Sequence, residues 1–284
     1  MRKLRIVVPK GSIYQSVTKL LTDAGIRLQK DDRAYRPLVS DPELEVKIMR
    51  PQNIPELIEL GSHDAGFTGF DWVAESKADV LEVLDLGFDP VSIVAAIPKD
   101  SDQRDLRSRR IIVASEYENV SKGFLDREGY SYVFLRTYGA TEVFPPDDAD
   151  MIIDNMSTGR TLTEHNLQVI ATLLTSSTRF VANRGSYDDP GIREKLDELK
   201  TLFRAVIDAR SRVMLEMNIP KKRFNEIISG LPCMRAPTVS PLHGDQGFAV
   251  KIAVPRAEVS KLVPRLKKLG ATDIVEYELR KVVA

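Results

Sequence analysis

Apolar and polar positions along this 284-residue chain follow two rhythms, and the switches between them mark out its elements. Leu4 to Val8 is a near-continuous apolar run and reads as a buried strand. Ile13, Val17, Leu20, Leu21 and Ala24 then recur at helical spacing until Gly25 closes the helix. Leu44, Val46 and Ile48 alternate as a strand ended by Arg50, and Ile54-Pro55 starts a short helix running to Gly61. Asp64 to Thr68 is a further strand, with a helix opening near Asp71. From residue 91 the pattern restarts. Val91 to Ile97, Arg110 to Ala114, Tyr132 to Leu135 and Met151 to Ile153 are strand runs with helical stretches between them. The charged link Lys99 to Arg110 has mixed signs and reads as a solvated excursion. Such alternation predicts mainly parallel α/β sheets, and two such lobes leave a ligand cleft at their strand ends.

The rhythm changes again near the C-terminus. Residues 192–210 carry Ile192, Leu196, Leu199, Leu202, Phe203, Val206 and Ile207 on one stripe, the mark of a long amphipathic helix. Beyond it Val213, Leu215 and Met217 alternate, Lys221 to Ser229 is helical, and Thr238 to Leu242 is extended. Phe248, Val250, Ile252 and Val254 form an alternating strand. Val259, Leu262, Val263, Leu266 and Leu269 make a helix face ending at Gly270, and Val275, Tyr277 and Leu279 alternate once more. That order is βαββαβ, a ferredoxin-like unit. The expected organisation is lobe I from residues 1–90 plus about 176–210, lobe II from 91–175, and an appended module from 211–284. Such a module serves as a small-molecule sensor or simply as a dimerisation element.

Composition narrows the class. Hydrophobic residues make up 43%, and 41 basic residues balance 41 acidic ones, so no charge excess favours nucleic acid as a partner. One cysteine, Cys233, leaves no internal disulfide or thiolate metal site, and no activating base is near it in sequence. His63, His165 and His243 are too scattered to suggest a metal cluster, and His165 reads as an exposed helix residue. No apolar run approaches the roughly 20 residues a membrane span needs, and no secretory leader precedes the first strand-like run; a cytoplasmic protein is expected.

The stretch most telling of chemistry is residues 150–162. The apolar run Met151-Ile152-Ile153 is expected to end at Asp154, and Ser157, Thr158, Gly159, Arg160 and Thr161 follow before a helical pattern. Backbone N–H groups at a helix start, a glycine that permits close approach and uncharged hydroxyl donors suit a phosphate. Asp154 repels that phosphate but suits the hydroxyls of a sugar carrying it, or a divalent cation beside it. An ordinary capped turn has the same composition. Two other phosphate loops are excluded by spacing: Lys10-Gly11-Ser12 lacks the upstream glycine of a P-loop, and Gly66-Phe67-Thr68-Gly69 lacks the third glycine of a dinucleotide fingerprint. An apolar strand, an acid and a Ser/Thr-Gly-x-Thr turn come close to the loop that binds 5-phosphoribosyl-1-pyrophosphate (PRPP).

Further segments carry a family resemblance over essentially the whole chain. Val8-Pro9-Lys10-Gly11, Arg50 with Ile54-Pro55, Asp64 to Gly69, Gly139-Ala140-Thr141-Glu142, Asp154 to Leu162 and Ala236 to Leu242 occur in the order found in the long form of ATP phosphoribosyltransferase, which opens histidine biosynthesis. The chain resembles that family, with departures at Ser12, where an arginine is usual, at Gln52 and Asn53, where acids are usual, and at Ala140, where a serine is usual.

The resemblance implies two periplasmic-binding-protein-like α/β lobes around a cleft and a C-terminal ACT-like domain that binds histidine as inhibitor. It implies transfer of phosphoribosyl from PRPP to N1 of ATP with Mg²⁺, and a homo-oligomer between dimer and hexamer. Asp154 and Glu142 are the catalytic candidates, with the role of Glu142 open among adenine, ribose and metal. PRPP is assigned to Asp154, Ser157, Thr158, Gly159, Arg160 and Thr161, and ATP or polyphosphate to Lys10, Gly11, Arg50 and Asp71. Asn218, Thr238 and Asp273 are the histidine candidates. Asp154 is also the candidate metal ligand, with Mg²⁺ held mainly by substrate phosphates. The alternatives are a non-catalytic amino-acid-sensing protein on the same lobes, or another PRPP-dependent transferase.

Overall fold

The computed structural model describes residues 2–29 and 35–283. The chain forms two compact units, one comprising the stretch to Thr22 with Ile26–Asp197, the other Asp23–Gly25 with Glu198–Ala284.

The first unit holds two α/β lobes. Lobe I begins with strands β1 (Leu4–Pro9), β2 (Leu28–Gln29), β3 (Leu38–Val39), β4 (Leu44–Met49), β5 (Ala65–Gly69) and β6 (Val80–Asp85), and helices α1 (Ile13–Ala24), α2 (Ile54–Glu59) and α3 (Phe70–Ser76). Lobe II contains β7 (Val91–Pro98), β8 (Arg110–Ser115), β9 (Ser131–Arg136), β10 (Met151–Met156) and β11 (Leu167–Ser176), with α4 (Gln103–Ser108), α5 (Glu118–Arg127) and α6 (Arg160–Glu164). The chain then returns to lobe I as β12 (Thr178–Asn183), followed by α7 (Arg184–Asp188) and α8 (Pro190–Arg210). Sheet order is β4-β1-β5-β12-β6 in lobe I and β11-β7-β10-β8-β9 in lobe II. In lobe I, β4, β1 and β5 are parallel and the returning β12 is antiparallel to both its neighbours. In lobe II, β10, β8 and β9 are parallel, β7 runs against them, and the edge strand β11 is antiparallel to β7. This is the two-lobed architecture of periplasmic-binding-protein folds.

Each lobe has a core of its own. Val7, Ile54, Ile58 and Val181 cluster in lobe I. Gly66 belongs in that packing because a Cβ there would meet Ile58 Cδ1 at 2.9 Å and the Val7 carbonyl oxygen at 3.0 Å. Ile93, Ile97, Val113, Met151 and Ile153 pack on Phe124 and Leu125 of α5. The alternate residues Val94, Ala96, Ala114 and Ile152 pack on Leu162 and Leu167. Burial of each large aliphatic side chain contributes roughly 1.5–3 kcal/mol, so the near-continuous apolar strands of lobe II follow from having both faces covered.

The second unit is ferredoxin-like. Strands β13 (Arg212–Ile219), β14 (Thr238–Pro241), β15 (Phe248–Pro255) and β16 (Thr272–Glu278), with α9 (Phe224–Ile228) and α10 (Val259–Lys268), follow the order βαββαβ. They form an antiparallel sheet ordered β14-β15-β13-β16. Val213, Leu215, Met217 and Ile219 face the helices together with Val250, Ile252 and Val254.

Three local expectations are corrected. Strand β10 does not stop at Asp154 but runs to Met156. The link Lys99 to Arg110 contains a short helix, α4, whose N-cap Asp102 accepts a hydrogen bond from the Arg104 N–H. Strands β6 and β12 of lobe I and β11 of lobe II are additional to the strands read from sequence.

Candidate active site

The strand ends of both lobes converge on one cleft. The turn after β1 presents Lys10, Gly11 and Ser12; the turn after β4 presents Arg50; β8 delivers Glu116 and Tyr117; and β10 delivers Asn155 and Ser157. Together they line a cavity of about 790 Å³. A second cavity of about 490 Å³ adjoins it, lined by Arg136, Thr137 and Tyr138 among others, and Arg50, Gln52, Trp72 and Glu116 line both. Lys10 Nζ lies 5.3 Å from the centroid of the Tyr35 ring. Neither Lys10 nor Arg50 has an acidic partner among the described residues, so both charges stay available to an anion.

Helix α3 fastens the lobes to each other. Trp72 belongs to lobe I in sequence but is buried in the core of lobe II, stacked on Tyr117 with ring centroids 4.5 Å apart. Asp71 is 5% exposed, and its two carboxylate oxygens accept hydrogen bonds from Tyr117 Oη at 2.9 Å and Ser176 Oγ at 2.6 Å. The Asp71 N–H donates to the same Ser176 Oγ at 2.9 Å. Burial next to this carboxylate drives the Tyr117 phenol far above its ordinary range. Glu75 completes the clasp: its carboxylate accepts from the Asn119 and Val120 N–H groups, both at 3.0 Å, at the start of α5. Asp71, expected at ATP or polyphosphate, does line the larger cavity. Its negative charge is committed to two hydroxyls within the protein, and like charge repels a phosphate.

Asp154 is electrostatically strained. Along β10 it shares the strand face of Ile152 and Met156, which pack in the smaller lobe II cluster. Asn155 takes the opposite face, where its Nδ2 lies 3.4 Å from Tyr117 Oη. Burial, then the nearby charges of Glu116 and Glu142, push the Asp154 carboxyl up to about 6. The Asn155 N–H donates to Asp154 Oδ1 at 2.7 Å and offsets part of that shift. Glu142 sits in the short 3₁₀ turn Thr141–Val143, whose preceding Ala140 has φ 51°.

The hydroxyl-rich turn beyond β10 is exposed at Ser157, Thr158, Arg160 and Thr161, and Ser157 reaches the larger cavity. Gly159 has φ 76°, and a Cβ there would come 3.2 Å from Met156 Sδ, so this reversal into α6 requires glycine. Arg160 Nε donates to Glu164 at 2.7 Å on the helix surface, with its side chain 82% exposed. Its charge is thus partly answered before any ligand arrives. His165 is exposed at the C-cap of α6. Glu116 and Asn155 were not singled out from sequence. Both follow directly from strand ends, the position where α/β folds place ligand groups, and that rule alone would have found them.

Comparison with known proteins agrees with this architecture. The family description "HisG: ATP phosphoribosyltransferase" matches residues 50–205, and "HisG, C-terminal domain" matches residues 209–281. An ATP phosphoribosyltransferase of Pelotomaculum thermopropionicum is 42% identical over 99% of this chain and 99% of its own length. That of Chlorobium phaeovibrioides is 38% identical over 99% of this chain and 98% of its own. The chain belongs to the ATP phosphoribosyltransferase family. As a member of the long form, it is a phosphoribosyltransferase of the first step of histidine biosynthesis. In fold it resembles the ATP phosphoribosyl transferase (HisG:HisZ) complex from Thermotoga maritima, with a TM-score of 0.63 and 23% identity over 70% of this chain and 98% of that one.

Within the C-terminal domain of this ATP phosphoribosyltransferase, the histidine candidates separate. Asn218 Nδ2 donates to Asp273 Oδ2 at 2.9 Å, as does Thr272 Oγ1, and these bonds hold the Asp273 carboxyl below its ordinary range. Thr238 lies on β14, at the opposite edge of the sheet from β16. It lines a separate cavity of about 510 Å³ with Cys233, Arg235 and Lys251. One copy of the chain therefore brings Asn218 and Asp273 together but not Thr238.

Proposed function

We propose that PRPP occupies the larger cavity, ATP the adjoining one, and that N1 of adenine attacks C1 of the ribose at their shared wall. The observation carrying this reading is that two cavities, each of a size suited to a phosphorylated ligand, share a wall that includes Arg50, while Lys10 and Arg50 line the larger one without acidic partners among the described residues. The C1–O bond to pyrophosphate breaks as the N1–C1 bond forms, and the electron pair leaves with pyrophosphate. Lys10 and Arg50 hold the leaving charge through charge-assisted hydrogen bonds. Asp154 lines neither cavity and lies on the strand face opposite Asn155, so its part in this reading is electrostatic, favouring from behind β10 the positive charge that builds at C1. Ser157, Thr158, Gly159 and Thr161 cradle the 5-phosphate, with Arg160 at the rim. Adenine N1 is already a neutral lone-pair nucleophile, so the reaction needs no strong general base.

Mg²⁺ fits this site as a companion of the substrate. Among the described residues no group of three or more His, Cys, Asp or Glu is arranged to hold a metal ion. Asp154, with its ionised form disfavoured by Glu116 and Glu142, would gain from a nearby cation. Mg²⁺ commonly binds through one or two carboxylates plus substrate phosphates, and when bound it neutralises charge on the leaving pyrophosphate.

The C-terminal domain acts in this reading as a histidine sensor, with Asn218 and Asp273 contributing from one edge of its sheet. Separation of Thr238 from them supports a site completed between copies, in keeping with a homo-oligomer. No helix among the described residues is long and apolar enough to cross a membrane, which is compatible with a cytoplasmic enzyme. Incubation with ATP, PRPP and Mg²⁺ tests the catalytic reading: a new phosphoribosyl-ATP absorbance with stoichiometric pyrophosphate supports it. Ligand binding without turnover would leave a non-catalytic sensor.

A further inference from the structure

We propose that Glu116 reads the 6-amino group of the adenine ring and thereby both selects the base and aids attack by N1. This deepens the substrate placement proposed above and rests on it.

Three observations lead to Glu116. The residue lines both cavities and so stands where a base in one meets a ribose in the other. It accepts no hydrogen bond and forms no ion pair among the described residues, whereas the neighbouring carboxylates of Asp71, Glu75 and Glu118 are all engaged. Glu142, the other acid whose charge reaches Asp154, lines neither of these cavities. The same shared wall carries Gln52, whose Oε1 is buried and has no donor. The wall between the cavities therefore carries two acceptors without a donor among the described residues, which suits a group with two N–H donors and no acceptor.

The 6-amino group of adenine is such a group, and it is bonded to the carbon next to N1. As the N1–C1 bond forms, N1 donates its lone pair, and positive charge spreads over N1, C6 and the amino nitrogen as an amidinium. A carboxylate accepting from that amino group gains strength in the transition state, which is where an interaction accelerates the chemistry. N1 itself stays free, because the carboxylate can only accept and so makes no hydrogen bond to a lone pair. A 6-oxo purine presents an acceptor there and carries a proton on N1, so Glu116 would repel it and the nucleophile would be blocked.

The test is a cycle of two substrates and two enzymes, in which kcat/KM is measured for ATP and for purine riboside triphosphate, which lacks the 6-amino group. The difference in N1 reactivity between the two nucleotides is common to both enzymes and cancels. Wild type should prefer ATP, and in Glu116→Gln that preference should shrink by about tenfold to a hundredfold, the range for a hydrogen bond to a charged group. Isothermal titration of the two nucleotides without PRPP gives a second readout that needs no turnover, and PRPP affinity serves as a folding control. A preference within about twofold of wild type in the variant, in a protein that still binds PRPP, overturns the assignment of Glu116. Absence of phosphoribosyl-ATP with wild-type enzyme overturns the catalytic reading itself, and the assignment falls with it.

Discussion

Tyr117 and Asp71 meet across the lobes, the phenolic oxygen donating to the carboxylate at 2.9 Å in a buried setting. The bond links the start of α5 in lobe II to the start of α3 in lobe I, two residues that flank the larger cavity. Removing the donor leaves a buried carboxylate with only the Ser176 hydroxyl. Tyr117→Phe keeps the stack on Trp72 and should cost about 1–3 kcal/mol in chemical denaturation. Double substitution with Ser176→Ala should cost more than the sum of the single changes, because the carboxylate then loses both donors.

Asp154 gives opposite signs for activity and stability. Its carboxyl is raised to about 6 by burial and by Glu116 and Glu142. A raised carboxyl contributes stability that is full below the ordinary carboxylate range and is lost as pH rises through about 6. Asp154→Asn should therefore match wild type in stability near pH 4 and exceed it near pH 8, by at most roughly 3 kcal/mol. The same variant should lose kcat at least about tenfold, with less effect on substrate binding. Thermal melts at the two pH values, set beside steady-state kinetics, check both signs; a variant less stable at pH 8 contradicts the electrostatic picture.

The same carboxyl sets a pH limb. If the ionised form serves the ribose, kcat/KM for PRPP should fall below pH 6 in wild type. That limb should move to lower pH in Glu116→Gln, since loss of a neighbouring negative charge makes Asp154 easier to ionise. A limb unmoved in the variant would separate it from Asp154.

Lys10 reaches the larger cavity and has no acidic partner among the described residues. Lys10→Ala should raise the KM for PRPP by roughly tenfold to a hundredfold, since a hydrogen bond from a charged group is lost. The melting temperature should hardly change, because the side chain is exposed. Equal KM values in the two enzymes would place the pyrophosphate away from the turn after β1.

In the C-terminal domain, Asp273 accepts from Asn218 and Thr272. Titration of the intact protein with histidine should give measurable heat at millimolar concentration, and Asp273→Ala should weaken binding by about tenfold or more. Absence of heat with wild type leaves assembly as the role of this domain.

The elements read most easily from sequence were those with an uninterrupted rhythm. Phe248, Val250, Ile252 and Val254 alternate without a break and form β15 as expected. Strand β11 escaped because its register shifts between Val169 and Ala171 and again between Thr172 and Leu174, which destroys the period of two. Strand β10 passed beyond Asp154 because β7 keeps pairing with it through Met156, a partner that hydrophobicity does not reveal. The site was legible where residues follow strand ends, as with Lys10 and Arg50. It was hidden where tertiary packing decides: nothing local in sequence shows that Asp71 is consumed by Tyr117 and Ser176, or that the sheet order sends Thr238 and Asp273 to opposite edges.

Trp72 is the single tryptophan of the chain, and it stands on the wall common to both cavities with its ring against Tyr117. The molecule thereby carries its own optical probe. All indole emission originates at the junction where base and ribose are proposed to meet, with no background from elsewhere. Filling either cavity alters the wall on which that one ring stands, so substrate arrival should be open to stopped-flow observation in the unmodified protein.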